Sequence, residues 1–329
     1  MNVNSSLYKE VEIDIIRKIL REKLGISEEC KVELMDGGMF NTTYKAVGTK
    51  GKWILRFGPV NRHLLMGFEE HLMTAEEYVY TLCRDRGISC PQILLCDTSR
   101  KLLNRDYMIT KFEPGRTMLG MELSTKDRDL LYEEMGQYAA AVHQITGGQF
   151  GFVSRITAGK GSQSWGECLL QEAQDIVEKI RSCDGISKEE GKRLLGIFSE
   201  NREFLDKIKV PRLLHTDLWD GNVLITAEGG TPHIHMVIDG DRAMFGDEDF
   251  EWAAPWTDIP AVRRGAGIKE QDYQSPDRVK RRKIYRLFYN LLECYVGVGE
   301  YNNPQQYRNA RTQVLLLADK LEGPMSHKT

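Results

Sequence analysis

The string Leu213 to Ile225, LLHTDLWDGNVLI, sets His215, Asp217 and Asn222 in the pattern H-x-D-x-x-x-x-N between two apolar anchors. An aspartate ahead of an asparagine at this spacing, on a loop gripped by flanking strands, can face a common point with it. The carboxylate would orient or deprotonate a hydroxyl, and the amide oxygen would bind a metal ion on the phosphate side. Asp, Gly and Asn are also the usual turn formers, so the string alone fits a surface turn equally well. A second string, HIHMVIDGDRAMFGDEDFEWA at 233–253, shifts that balance. Its β-like run Met236-Val237-Ile238 delivers Asp239 to a strand end, well placed to hold the Mg²⁺ that bridges nucleotide phosphates. Oxygen ligands suit that hard ion. Asp241 is a second candidate on the same turn, and the bulky apolar residues before it make an incidental exposed loop the poorer reading.

The elements that must position these strings follow from periodicity. Val11, Ile15, Ile16, Ile19, Leu20 and Leu24 predict an amphipathic helix over 8–24, stopped by Gly25. Strand-like segments follow at Lys31–Met35, Thr42–Val47 and Lys52–Phe57, joined by turns of Asp-Gly-Gly and Thr-Lys-Gly composition. A helix is expected over Glu69–Arg86, then strands at Gln92–Cys96 and Tyr107–Phe112. Short antiparallel strands with one interposed helix indicate an α+β lobe rather than a βαβ sheet. From Ser124 the pattern is mostly helical. Ser187 with Glu190 forms a capping box, and Ser275-Pro276 and Asn303-Pro304 each set a capping side chain before a first-turn proline. Glu113-Pro114-Gly115 is the natural joint, giving a nucleotide-binding lobe over 1–112 and a catalytic, substrate-binding lobe over 113–329.

Composition excludes several classes. Hydrophobic residues at 41% and charged residues at 28% argue against disorder, and a net charge of -3 gives no reason to expect nucleic acid. The one basic run, Arg278 to Lys283, reads as a solvated helix face. The amino terminus lacks a signal-peptide pattern, and no apolar stretch reaches the roughly 20 residues that span a bilayer. Seven cysteines without a CxxC pair fit a reducing cytoplasm. The glycosylation-like triplets at Asn4 and Asn41 are then chance matches. Nothing in the sequence specifies an oligomeric state.

The pair H-T-D-x-x-x-x-N-V-L-I and V-I-D-G-D-R-A-M-F-G-D resembles the catalytic and metal-binding signatures of the aminoglycoside phosphotransferase family, whose fold is the two-lobed protein-kinase-like one. The A-M-F-G-D ending is similar to hygromycin-type members. The resemblance implies Asp217 as catalytic base, Asn222 as Mg²⁺ ligand, Asp239 as principal Mg²⁺ ligand, and His215 as a structural residue. Residues 37–44, GGMFNTTY, resemble the family's phosphate-covering loop, which implicates Gly37, Gly38, Asn41 and Thr42 in nucleotide binding. Glycine there lets backbone N–H groups approach phosphates. Trp53 to Phe57 resembles the third strand, with Arg56 as the phosphate-pairing cation where a protein kinase has lysine. Arginine is always charged and forks onto phosphate oxygens. The resemblance sets Glu76 as that cation's helix partner, with Glu77 as rival. Tyr107 to Phe112 resembles the hinge, so backbone groups from Ile109 to Phe112 would meet the purine. Residues 138–143, YAAAVH, resemble the first long helix of the second lobe, with His143 a packing residue.

The expected chemistry is in-line transfer of the γ-phosphoryl group of ATP or GTP to a small-molecule hydroxyl, with Mg²⁺ required. Asp247, Glu248, Asp249, Glu251 and Asp258 either attract a cationic acceptor, which points to an aminoglycoside and antibiotic resistance, or charge a helix start. Trp165, Trp252 and Trp256 stack on a sugar or pack a core. The alternatives are a metabolic kinase of a small hydroxylated amine or sugar, and a nucleotide-binding pseudoenzyme. The absence of D-F-G and A-P-E disfavours a protein kinase.

Overall fold

A computed structural model describes residues 5–26, 29–36, 38–227 and 230–322. The amino-terminal part holds α1 (Ile13–Leu24), β1 (Lys31–Leu34), β2 (Thr42–Gly48), β3 (Gly51–Phe57), α2 (Leu72–Asp85), β4 (Ile93–Asp97) and β5 (Tyr107–Lys111). Its five strands form one antiparallel sheet in the order β1-β2-β3-β5-β4. Strand alternation sends Tyr44, Ala46, Leu55, Phe57, Tyr107 and Ile109 to one face, where they pack with Ile16, Ile19 and Leu20 of α1. The opposite face carries Arg56 toward the cleft.

Two helix starts fall later than their periodicity predicts. Residues 8–12 are not helical, because the Tyr44 hydroxyl takes both backbone groups of Val11, at 2.8 and 2.9 Å. Helix α2 begins at Leu72 because His71 adopts a left-handed conformation with φ 64°.

The rest of the chain runs β6 (Arg116–Thr117), α3 (Thr125–Val142), β7 (Gly151–Phe152), α4 (Val153–Thr157), α5 (Trp165–Ser182), α6 (Lys188–Glu200), α7 (Arg202–Leu205), β8 (Arg212–Leu214), β9 (Val223–Thr226), β10 (His233–Val237), β11 (Met244–Gly246), α8 (Glu248–Glu251), α9 (Pro260–Gly265), α10 (Glu270–Tyr273), α11 (Pro276–Tyr295) and α12 (Pro304–Glu322). This is the two-lobed kinase-like arrangement, a small antiparallel sheet above a mainly helical body. Two three-stranded sheets, β10-β9-β6 and β7-β11-β8, lie in that body, and the segment 215–222 leaves β8 and enters β9. The predicted capping box at Ser187 and Glu190 forms, with bonds of 3.0 and 3.1 Å. Asn303 caps α12 through Gln306 N–H, whereas Ser275 makes no side-chain cap bond. Helices α3 and α9 meet backbone to backbone. A Cβ on Gly136 would stand 1.9 Å from the Val262 carbonyl oxygen, and one on Gly265 would stand 1.9 Å from that of Glu133.

The basic run is not a solvated face, and the acidic cluster does start a helix: Asp247 caps α8 by accepting the Asp249 N–H, with Glu248, Asp249 and Glu251 in its first turn. Asp249 and Glu251 are fully buried and Asp247 nearly so, and Arg282 within the basic run is buried too. Arg278, Arg281 and Arg282 reach Asp249 at 2.8, 2.6 and 3.4 Å. Arg281 also meets Asp247 at 2.8 Å. The acidic cluster and the basic run are therefore partners that pin α11 to α8. Asp258 is bound by Arg263 at 2.6 Å, by Arg286 and by the Tyr273 hydroxyl at 2.7 Å. Trp165 and Trp252 are core residues.

Candidate active site

Three segments converge on Arg56. Strand β3 projects it across the cleft, and its Nη1 contacts both oxygens of Glu76, at 2.6 and 2.7 Å. Its Nη2 donates to Asp239 at 2.6 Å and to Asp241 at 3.3 Å. Glu76 is fully buried within the apolar stripe of α2, among Leu72, Ala75, Val79 and Tyr80, whereas Glu77 faces solvent. A glutamate sealed into a helix core face requires a fixed cation, and Arg56 is that cation. Tyr80, one turn beyond Glu76, donates to it at 2.6 Å and accepts the Asp239 N–H at 2.9 Å. Sequence reading missed Tyr80; its i,i+4 spacing from Glu76 was the available signal.

Asp239 itself adopts φ 64°. That left-handed conformation is one Asp and Asn tolerate better than other non-glycine residues, and it turns the chain sharply after β10. Burial alone would depress the Arg56 pKa, but the charges of Asp239, Glu76 and Asp241 raise it well above its usual range. Burial, then Asp239, pushes Asp241 well up, and burial pushes Glu76 up.

The segment 215–222 is held from below. Glu251 accepts the backbone N–H groups of His215 and Thr216 at 2.7 and 3.0 Å. Thr216 sits at φ 64°, and its hydroxyl donates to the Arg242 carbonyl at 2.8 Å. His215 accepts the Asp217 N–H at Nδ1 (3.3 Å), which leaves Nε2–H to donate to the Ile238 carbonyl at 3.1 Å. His215 therefore ties the string to the chain just after β10 that leads into Asp239, a structural role. Asn222 Nδ2 donates to the Asp217 carbonyl at 2.8 Å and to its carboxylate at 3.0 Å. Burial raises the Asp217 pKa above its ordinary value, with Arg242 opposing and Asp239 adding to the shift. A carboxylate moved toward neutrality is a better proton acceptor at working pH. His143 packs edge-on against the Trp252 ring, with centroids 5.2 Å apart.

The donor set suits a hard divalent cation. Glu76, Asp239 and Asp241 bring carboxylate oxygens within 4.8 Å of one another, facing a single guanidinium. With Nδ2 of Asn222 bonded to Asp217, its amide oxygen is the atom left to ligate.

The phosphate-loop residues divide. Gly37 lies outside the described residues. Gly38 has no room for a side chain, since its Cβ would stand 2.2 Å from the Asn41 carbonyl oxygen. This tight loop sets Phe40 over the Arg242 guanidinium at 5.5 Å. Thr42 is placed elsewhere: it shares the buried strand face of Tyr44, donates to the Lys9 carbonyl at 2.7 Å and accepts from Arg105 at 3.0 Å. The Ile109 side chain is buried on the α1 side, and its backbone pairs with both Leu55 and Leu95. The Phe112 N–H is bonded to the Lys52 carbonyl at 3.0 Å, and Lys45 Nζ lies 4.3 Å from the Phe112 ring centroid.

Arg56→Lys keeps the charge and loses the fork that spans Glu76 and Asp239. The expected result is a fall in kcat of roughly 10- to 100-fold, the worth of one or two charged hydrogen bonds, read in steady-state nucleotide turnover.

The model of the phosphotransferase enzyme family matches residues 31–283. A probable ketoamine kinase of Vibrio parahaemolyticus is 25% identical over 290 residues, 81% of this chain and 87% of that protein. Among solved structures, a putative fructosamine-3-kinase from Thermobifida fusca superposes with a TM-score of 0.66 at 16% identity, covering 93% of this chain and 98% of that one. The aminoglycoside phosphotransferase APH(4)-Ia superposes equally well, with a TM-score of 0.66 at 16% identity, covering 95% and 100%.

Proposed function

The chain belongs to the phosphotransferase enzyme family, and from that premise we propose that it moves the γ-phosphoryl group of ATP to a hydroxyl of a small sugar-derived amine of the ketoamine kind. The observation that carries this choice of acceptor is the burial of three residues of the acidic cluster, with Glu248 and Asp258 left half-buried. A polycationic aminoglycoside needs accessible carboxylates, and Asp247, Asp249 and Glu251 are buried under arginines and backbone N–H groups. In their place the catalytic string offers Trp219, two residues beyond Asp217 and 36% exposed. Its flat ring suits the apolar face of a sugar. The identity to the Vibrio parahaemolyticus ketoamine kinase supports the same reading.

In this mechanism the acceptor hydroxyl oxygen bonds to the γ-phosphorus as the bond to the β,γ-bridging oxygen breaks. ADP leaves with the electron pair, and the hydroxyl proton passes to Asp217. Asn222 Nδ2 holds the Asp217 carboxylate in line, and Arg56, fixed by Glu76, offers its N–H groups to the phosphates. Asn222 Oδ1 and Asp239 would hold Mg²⁺, which when bound neutralises phosphate charge. The loop at 38–41 covers the phosphates, and the chain at the end of β5 and just beyond it, around Lys111 to Glu113, meets the purine.

The test is a nucleotide-turnover assay with ATP and Mg²⁺ against ketoamines, formed from glucose or ribose and an amine, beside a panel of aminoglycosides. A kcat/KM at least about tenfold higher for a ketoamine than for any aminoglycoside is expected. The reverse order would restore the antibiotic as acceptor.

A further inference from the structure

Glu300 closes a wide π turn, Val296–Glu300, between α11 and α12, and is completely buried. Neither of its carboxyl oxygens has a hydrogen-bond partner among the described residues. The group within its reach is another carboxyl, that of Glu69. Glu69 is also buried; its Oε1 accepts from Arg242 Nη2 at 2.7 Å and its Oε2 accepts the Met66 N–H at 3.0 Å. Two carboxylates cannot bond to each other, and an ionised pair beside one guanidinium would leave an uncompensated buried charge. One shared proton satisfies both groups.

Arg242 is the reason the pair matters. It follows the Asp239 turn, its carbonyl holds the Thr216 hydroxyl, and its charge acts on Asp217. Its guanidinium lies over Phe40 of the phosphate loop and Phe68, 5.5 and 6.0 Å from the ring centroids. We propose that Glu300 is a positioning residue for phosphoryl transfer: as a neutral acid it donates to Glu69, and Glu69 thereby holds Arg242 against the catalytic string. The Glu300 carbonyl also accepts the Ser6 N–H at 2.8 Å, so the same turn anchors the chain ahead of α1.

The charged and titratable groups around Glu300 are Glu69, Arg242 and Lys179, from three different elements, with Tyr295 and Tyr301 beside it. Burial first, and then the Glu69 charge, hold it well above the ordinary carboxyl range, with Arg242 and Lys179 opposing. The stability it contributes is therefore fully present below the unfolded carboxyl range, near about pH 4.3, and is lost as pH rises toward the raised folded value.

The proposal rests on the kinase reading above, so its test has an arm that needs no acceptor. Glu300→Gln is neutral at every pH and can donate an N–H to Glu69; Glu300→Leu fills the space and donates nothing. In thermal unfolding from pH 5 to 9, wild-type Tm should fall relative to the Gln variant as pH rises. In turnover with ATP, the Gln variant should keep kcat within about twofold, and the Leu variant should lose about tenfold or more with KM for ATP unchanged, the signature of misplaced rather than missing groups. A Tm difference that stays constant with pH overturns the neutral-acid assignment, whatever the acceptor proves to be. Full kcat in the Leu variant, or equal loss in both, overturns the positioning role.

Discussion

Asp217→Ala should lower kcat by a factor of roughly 10² to 10⁴, the range that a positioned proton acceptor contributes. Tm should hold or rise. The two expectations share one cause. Asp217 is buried deeply enough that its ionised form is disfavoured, so the fold stores a cost in that carboxylate, and removing it relieves the cost while ending proton transfer. Asp217→Asn separates shape from charge. It keeps a side chain able to accept from Asn222 Nδ2, which now donates at 3.0 Å, and should be nearly as inactive as the alanine variant with nucleotide binding intact. If either variant turned over within threefold of wild type, Asp217 would not be the proton acceptor.

Asp249→Ala should destabilise the protein by about 3–5 kcal/mol, the cost of stripping one partner from a buried ion pair. Three arginines from two turns of α11 depend on this carboxylate. Arg282 has a second hold, with its guanidinium 3.4 Å from the Tyr273 ring centroid and a 2.6 Å bond to the Tyr273 carbonyl. Arg281 keeps Asp247 at 2.8 Å and Arg278 keeps only Glu248 at 3.3 Å, so positive charge is left around an emptied site. Urea unfolding monitored by fluorescence measures the loss. Glu248→Ala, one residue earlier and only half-buried, is the control and should cost below about 1 kcal/mol. An equal midpoint for both variants would mean that the arginines find other partners on unlocking.

These two sites mark where the sequence was readable. His215, Asp217, Asn222 and Asp239 lie on two short strings whose chemistry is local, and the structure brings them together as their spacing suggests. The acidic cluster and the basic run are each ordinary surface composition when read alone. Their burial against one another is a contact between α8 and α11, and no window of a few residues contains it. The burial of Thr42 was legible for a different reason, since strand alternation was available. Tyr44 and Ala46 are core residues, so Thr42, two positions away, had to share their face. Glu76 and Glu77 could not be told apart by type; the buried stripe of α2 separates them.

The crossing of α3 and α9 has a consequence for how this protein can change over evolutionary time. The contact leaves no space for even a methyl group at Gly136 or Gly265, so either position can accept alanine only if the two helices separate. Helix α3 also carries Arg128 and Tyr132, which reach Asp220, three residues beyond Asp217, at 3.3 and 3.4 Å. A lineage exploring new acceptors by shifting α9 would therefore disturb the chemistry it needs to preserve. Diversification is channelled instead into side chains facing the cleft. Among descendants that retain the crossing, positions 136 and 265 should stay glycine together, and where one is lost the other should be free to drift.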